Sequence, residues 1–200
     1  MCSWCWAFRP SMDALIEKLP KEINVIRLLG GLAPDSDIPM PDNIREYVLE
    51  NWRAIEKKVP KTKFNYNFWK ECAPRRSTYP ACRAVIAARK QKKIFDKEMT
   101  LAIQKAYYLN ARNPSDYETL IELAEEIGAD KNKFSKDIAS PETEFILRKE
   151  INQSQSLDLK TLPSLLFVDG DKKSRIELDY LNVKTMLNQI KSLNKKAATE

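Results

Sequence analysis

The chain reads as an α/β fold whose sheet is interrupted by an all-helical insertion. Three observations predict it. Short, branched runs near both ends have strand character, the middle carries apolar residues at helical spacing, and one amphipathic helix closes the sequence. The order strand, helix, strand, helical block, hairpin, helix suits one sheet split around an insertion better than two tandem domains. It sets residues 1–72 and 157–200 as a discontinuous α/β domain and 73–156 as a helical subdomain.

Taken in order, Ala7 to Lys18 continues a helix that opens on Cys2-Ser3-Trp4-Cys5-Trp6 and carries Pro10, a residue that kinks helices. Ile23 to Leu29 is short, branched and ends at Gly30-Gly31, the pattern of a buried strand. Ala33 to Pro41 is a proline-rich loop. From Asp42 to Val59, Ile44, Val48, Trp52 and Ile55 recur at three or four, and Pro60 stops that helix. Lys63 to Trp69 alternates Phe64, Tyr66 and Phe68 with polar neighbours, which predicts a second strand.

In the middle block, an Ala81 to Arg89 helix is followed by the stripe Phe95, Met99, Ala102, Ala106 and Leu109. Ser115-Asp116-Tyr117-Glu118 has capping-box form before Leu120, Leu123, Ala124 and Ile127, with Gly128 as the stop. Ser140-Pro141-Glu142 opens another helix. Beyond the block, Leu165 to Val168, the turn Asp169-Gly170-Asp171 and Ser174 to Leu178 predict a hairpin. Asn182 caps a last helix carrying Val183, Met186, Leu187, Ile190 and Leu193.

Composition narrows function. The 200 residues are 43% hydrophobic and 31% charged, with only four glycines, a helix-rich globular mix. No apolar run reaches the roughly 20 residues that span a bilayer, so no membrane partner is expected. Net charge is +6, but Lys and Arg are interleaved with 28 acidic residues, and the basic end Lys195-Lys196 is short, so no nucleic-acid partner is expected either. The absence of histidine excludes Cys–His pairs, Ser–His–Asp triads and His-ligated metals. What chemistry remains must run on thiols, carboxylates, amines or hydroxyls.

Cys2 and Cys5 are spaced as a redox pair at a helix start. There, unpaired backbone N–H groups and the positive dipole end stabilise a thiolate. A lowered thiol pKa raises the thiolate fraction but lowers its intrinsic nucleophilicity, so the larger effect falls on the redox equilibrium. Cys5, one turn on, is placed to resolve a mixed disulfide on Cys2. Trp4 is expected exposed beside the sulfur as apolar substrate surface, and Trp6 inward. The other readings are half of a zinc site, with Cys72 and Cys82 completing four thiolates, or two inert cysteines. The nine residues between Cys72 and Cys82 do not repeat the short spacing of such zinc sites. Those two thiols are either free or a second disulfide, which at that loop length would contribute roughly 2–3 kcal/mol.

Cys-Ser-Trp-Cys-Trp opening a proline-containing helix resembles the active-site helix of the thioredoxin superfamily, and the inserted helical block resembles its DsbA-like branch. Met-Cys-Ser-Trp-Cys-Trp-Ala-Phe and Arg76-Ser77-Thr78-Tyr79-Pro80-Ala81 are similar to FrnE-like proteins, predicted disulfide isomerases. The resemblance covers nearly the whole chain. It implies a cis-proline at Pro163 in Thr161-Leu162-Pro163-Ser164, with Leu162 facing substrate. It implies a cytoplasmic enzyme exchanging protein or peptide thiols and disulfides, with glutathione as a small partner and neither metal nor organic cofactor. Ser3 and Trp4 add no charge, so oxidase, reductase and isomerase stay equally open. Members of this superfamily begin with a β-strand that leads into the motif. Only Met1 precedes Cys2, so an N-terminal segment is expected to be missing. Two alternatives remain: a glutathione-dependent transferase or isomerase of kappa-like type, and a non-catalytic peptide-binding or chaperone module.

Overall fold

The computed structural model describes residues 1–197, with side chains described through Asn194, so Lys195 and Lys196 lie outside the described side chains. Nine helices and two strands are found among the described residues. Helix α1 (Ser3–Lys18) runs through Pro10 and buries Trp6, Ala7, Phe8 and Leu15. Helix α2 (Asp42–Lys58) buries Trp52 and Ile55. A short α3 (Phe68–Glu71) precedes the helical block, which follows as α4 (Tyr79–Gln91), α5 (Phe95–Tyr108), α6 (Tyr117–Glu126), α7 (Lys131–Ile138) and α8 (Pro141–Ser156). Strands β1 (Leu165–Asp169) and β2 (Lys172–Ile176) form an antiparallel hairpin, and α9 (Val183–Ala197) closes the described chain.

The block is built around α4. Its alanine-rich face, Ala81, Ala84, Ala87 and Ala88, lets α5, α7 and α8 approach closely, and Phe95, Met99, Leu120 and Phe134 fill the space between them. Arg83, only 8% exposed, binds Asp35 at 2.9 Å and Glu144 at 3.0 Å and reaches the Tyr117 hydroxyl at 3.0 Å. That network ties loop 33–37 to α4, α6 and α8. Thr78 reinforces the link: its hydroxyl accepts from the Ala33 N–H and donates to the Ala33 carbonyl, both at 2.9 Å.

Several expected elements hold. Gly128, at φ +79°, follows α6 as its stop. The Ser140 hydroxyl accepts from Thr143 N–H at 3.2 Å, and Asn182 Oδ1 accepts from Lys184 N–H at 3.2 Å, so both residues cap as read. The turn is Gly170-Asp171 with Asp169 opposite Lys172, so the returning strand starts two residues before Ser174.

Three expectations fail, each where partners distant in sequence take up the groups involved. Ile23 to Leu29 has no regular secondary structure and joins no ladder among the described residues; Val25 and Ile26 are exposed and the Leu29 N–H donates to Glu150 Oε2 at 2.9 Å. Lys63 to Trp69 is no strand. Its backbone is satisfied elsewhere, Phe64 N–H by Glu56 Oε1 at 3.2 Å and Asn65 N–H by the Tyr108 carbonyl at 2.7 Å, before the chain turns into α3. The alternation there serves Trp52, against which Phe64 stacks at 4.6 Å while Tyr66 and Trp69 approach at 5.5 and 5.2 Å. Such pairs contribute about 0.5–1.5 kcal/mol each beyond area burial. Finally, the Ser115 box does not form: the Ser115 hydroxyl donates to the Ser77 carbonyl at 2.9 Å, and Asp116 pairs with Arg75 instead.

Candidate thiol site at the start of α1

Cys2 is the N-cap of α1. Its backbone is extended (φ −90°, ψ 112°), and its sulfur accepts from the Cys5 N–H at 3.2 Å. A side-chain oxygen normally occupies this place. Here a sulfur faces the orphan N–H groups, and an anion is favoured there by both hydrogen bonding and the helix dipole. The Cys5 thiol donates to Cys2 and holds the Cys2 thiol below its ordinary pKa, against the opposing cost of burial. The same bond, then burial, pushes Cys5 well above the ordinary thiol range. The two half-buried sulfurs therefore share one proton, with Cys2 the sulfur that ionises.

Leu162 faces this sulfur. The Cys2 thiol donates to the Leu162 carbonyl at 3.3 Å when protonated, and the Leu162–Pro163 peptide bond is cis. On ionisation Cys2 loses that donor, and the carbonyl is left free to accept from something else. Gly30 lets the chain pass behind Leu162: a Cβ there would lie 2.9 Å from Leu162 Cδ2. Gly31, at φ +53°, passes Ile151 so closely that a Cβ would lie 2.3 Å from Ile151 Cδ1. These glycines couple the thiol site to the helical block.

Trp4 is half-buried, where exposure was expected, because its indole N–H donates to Asn51 Oδ1 on α2 at 3.1 Å. Trp6 turns inward as expected, 8% exposed, with its N–H on the Lys63 carbonyl at 3.2 Å. The sequence reading missed Tyr180, which packs edge-on against Trp4 at 5.5 Å and Phe8 at 5.3 Å. Burial, with Cys2 and Cys5 beside it, pushes the Tyr180 hydroxyl up to about 12, so it stays a donor. Its place four residues past a strand carried no motif. The spacing of Trp4 and Phe8, one helical turn apart, is the signal that something must cover both.

Cys72 and Cys82 are free thiols in different apolar clusters. Cys72 donates to the Ala111 carbonyl at 2.9 Å, and burial, then the carboxylates of Asp116 and Glu71, push it upward. Cys82 packs with Tyr79, Ile86 and Ile151, and burial pushes it up to about 11. No disulfide joins them, because the two sulfurs turn into separate packing environments. Among the described residues no three Cys, Asp or Glu side chains gather into a possible metal site. No helix among those residues is long and apolar enough to cross a membrane.

The family model described as thioredoxin matches residues 1–189. A candidate protein disulfide isomerase from Nitrosomonas europaea superposes with a TM-score of 0.81 at 18% identity, covering 98% of this chain and 94% of that one. The cytosolic disulfide reductase DsbM from Pseudomonas aeruginosa superposes with a TM-score of 0.73 at 18% identity, covering 100% and 95%. The same reductase with GSH gives 0.72 at 17%, covering 100% of this chain and 96% of that one. The ClpXP adapter protein SpxH of Bacillus subtilis is 23% identical over 168 residues, 84% of this chain. This chain spans 55% of that curated relative's length.

Proposed function

This chain belongs to the thioredoxin family, and we propose that it is of the DsbA-like kind and exchanges thiols and disulfides of peptide or protein substrates through Cys2 and Cys5. One observation carries the reading: a sulfur caps α1, accepts from Cys5, and lies 3.3 Å from the Leu162 carbonyl that precedes Pro163.

The Cys2 thiolate attacks one sulfur of a substrate disulfide. A Cys2–substrate bond forms, the substrate S–S bond breaks, and the first substrate sulfur leaves as a thiolate. Cys5 then attacks the Cys2 sulfur. The Cys2–Cys5 bond forms, the second substrate sulfur leaves, and the proton carried by Cys5 ends on it as a thiol. The substrate is reduced by two electrons and the protein oxidised by two. A thiol or dithiol reductant, such as glutathione or a protein dithiol, reverses the protein step. Run backwards, the same sequence oxidises a dithiol substrate, and partial passage through the mixed disulfide isomerises one. Pro163 shapes one wall of the groove, and Leu162 offers its freed carbonyl to a substrate backbone N–H. A cytoplasmic setting fits this reading, since DsbM is described as cytosolic.

The test is turnover of a peptide disulfide by the wild-type protein and by Cys2→Ser and Cys5→Ser. Loss of turnover in Cys2→Ser, with a trapped mixed disulfide on Cys2 in Cys5→Ser, is expected. Turnover that survives Cys2→Ser sinks the reading. A second reading, a non-catalytic binding module, is supported by the match to an adapter protein. It requires that a Cys2→Ser/Cys5→Ser double variant still bind unfolded or partner chains as wild type does.

A further inference from the structure

The rim of the thiol site carries a cation with a specific seat. Lys58 closes α2, and its Nζ lies 5.6 Å from the Trp4 ring centroid and 5.7 Å from that of Tyr180. It is thus poised between two rings that meet at 73°. Both rings are fixed. Asn51, two helical turns before Lys58 and on the same face of α2, holds the Trp4 indole N–H, and its own amide donates to the Tyr47 carbonyl at 2.8 Å. Tyr180 is wedged between Trp4 and Phe8, and Leu181, 70% exposed, extends the apolar rim. Asn51 and Lys58 therefore hold between them the tryptophan that separates the two cysteines.

The seat leaves the charge available. Lys90, Lys97, Lys131 and Lys160 each pair with a carboxylate. No carboxylate pairs with Lys58 among the described residues. Its ammonium lies over both rings, and the residue is exposed, so the charge still faces solvent at the edge of the site. Position at a helix C-terminus explains a lysine there. It does not explain why two aromatic side chains beside a redox pair should cradle it.

We propose that Lys58, on its Trp4–Tyr180 seat, is a substrate-binding residue that takes a carboxylate carried by the disulfide substrate close to the sulfur that Cys2 attacks. This rests on the thiol–disulfide reading above and adds a substrate class to it: acidic disulfides over neutral or basic ones. The carboxylate has two sources, an acidic side chain flanking a cysteine in a peptide or the free carboxylates of a small thiol such as glutathione.

The experiment measures KM and kcat for three disulfide-linked peptides with blocked termini, bearing Glu, Gln or Lys beside the cysteine, and for glutathione disulfide and its ethyl ester. The variants are Lys58→Met, which keeps an apolar stem, Lys58→Arg and Lys58→Glu. Wild type is expected to favour the Glu peptide or glutathione disulfide over its neutral counterpart. Lys58→Met should raise the KM ratio of acidic to neutral substrate about threefold, the scale of an exposed ion pair, with the kcat ratio unmoved. Lys58→Glu should shift that ratio about tenfold and invert the preference toward the Lys peptide, and Lys58→Arg should restore it. The discrimination should fade above roughly 0.5 M salt. A response with the Glu peptide alone assigns an acidic side chain as the ligand; one with glutathione disulfide against its ester alone assigns the small thiol. Equal effects on all substrates would mean a structural role and overturn the proposal, as would no effect on either ratio. If wild type turns over none of the five, the thiol–disulfide reading itself has failed. If it turns them over without discrimination, only the Lys58 assignment has.

Discussion

Two cysteines open two helices here, and they are opposites. Cys2 stands at the N-cap of α1 and its thiol is held low; Cys82 stands in the first turn of α4 and its thiol is pushed up to about 11. Both lie near a helix N-terminus, so the macrodipole alone does not separate them. What differs is the exact seat. As N-cap, Cys2 accepts from the Cys5 N–H and from the Cys5 thiol. Cys82 lies inside the helix, its own N–H already spent on the Thr78 carbonyl, and its sulfur turns sideways into Tyr79, Ile86 and Ile151. There burial outweighs the influences that pull the thiol down, the backbone bond from Gly31 among them. A thiolate is favoured at the cap and penalised four residues beyond it.

The largest effects should come from breaking the low side of that comparison. Cys2→Ser is expected to reduce disulfide turnover to the uncatalysed rate, measured with a peptide disulfide, while leaving the folding transition near that of wild type. Cys5→Ser should accumulate mixed disulfide on Cys2, read as an adduct by mass spectrometry.

Next comes the joint between the two regions. Gly31→Ala places a Cβ 2.3 Å from Ile151 Cδ1 at a residue held at φ +53°. A denaturant titration should show a loss of about 1–3 kcal/mol. Gly30→Ala meets only the flexible end of Leu162, so it should cost less stability and instead shift Leu162 against Cys2, raising KM for peptide substrates.

The smallest effects should come from the high side. Cys82→Ala and Cys72→Ala should each keep turnover within about twofold and cost about 1 kcal/mol, the scale of a modest core change. The linkage has opposite sign at the two seats. A raised folded pKa makes Cys82 stabilising below the ordinary thiol range, a contribution lost as pH rises toward about 11. Cys82→Ala should therefore flatten the alkaline loss of stability in thermal melts. The lowered Cys2 pKa stabilises the reduced protein above the ordinary thiol range, and that contribution is lost as pH falls through the lowered value.

Much of this was legible in the residues. The motif, α2, the helical block, the hairpin and α9 all announce themselves through 3.6-residue spacing or turn chemistry, which are local. Pro163 and Leu162 were placed through the resemblance, and they stand beside Cys2, 160 residues away in sequence. What the sequence hid was non-local. Phe64, Tyr66 and Phe68 alternate as a strand would, yet their partner is one tryptophan on α2, and nothing in the alternation distinguishes a sheet face from an aromatic box. Ser115 looked like a cap but is taken by the Ser77 carbonyl, a contact 38 residues distant. Lys58 joins the site because α2 packs on α1, and Tyr180 because the segment before α9 does so too, with the Ser11 hydroxyl donating to the Tyr180 carbonyl at 2.8 Å.

The central claim is that the cap seat makes Cys2 the reactive thiol of the four. The direct measurement is the alkylation rate of each cysteine by iodoacetamide across pH, in the reduced wild-type protein, resolved by peptide mass spectrometry. Cys2 should react first and reach its plateau below the pH at which an ordinary thiol would, with Cys5, Cys72 and Cys82 lagging into the alkaline range. If Cys2 titrates as an ordinary thiol, or if Cys72 or Cys82 reacts first, the account is wrong.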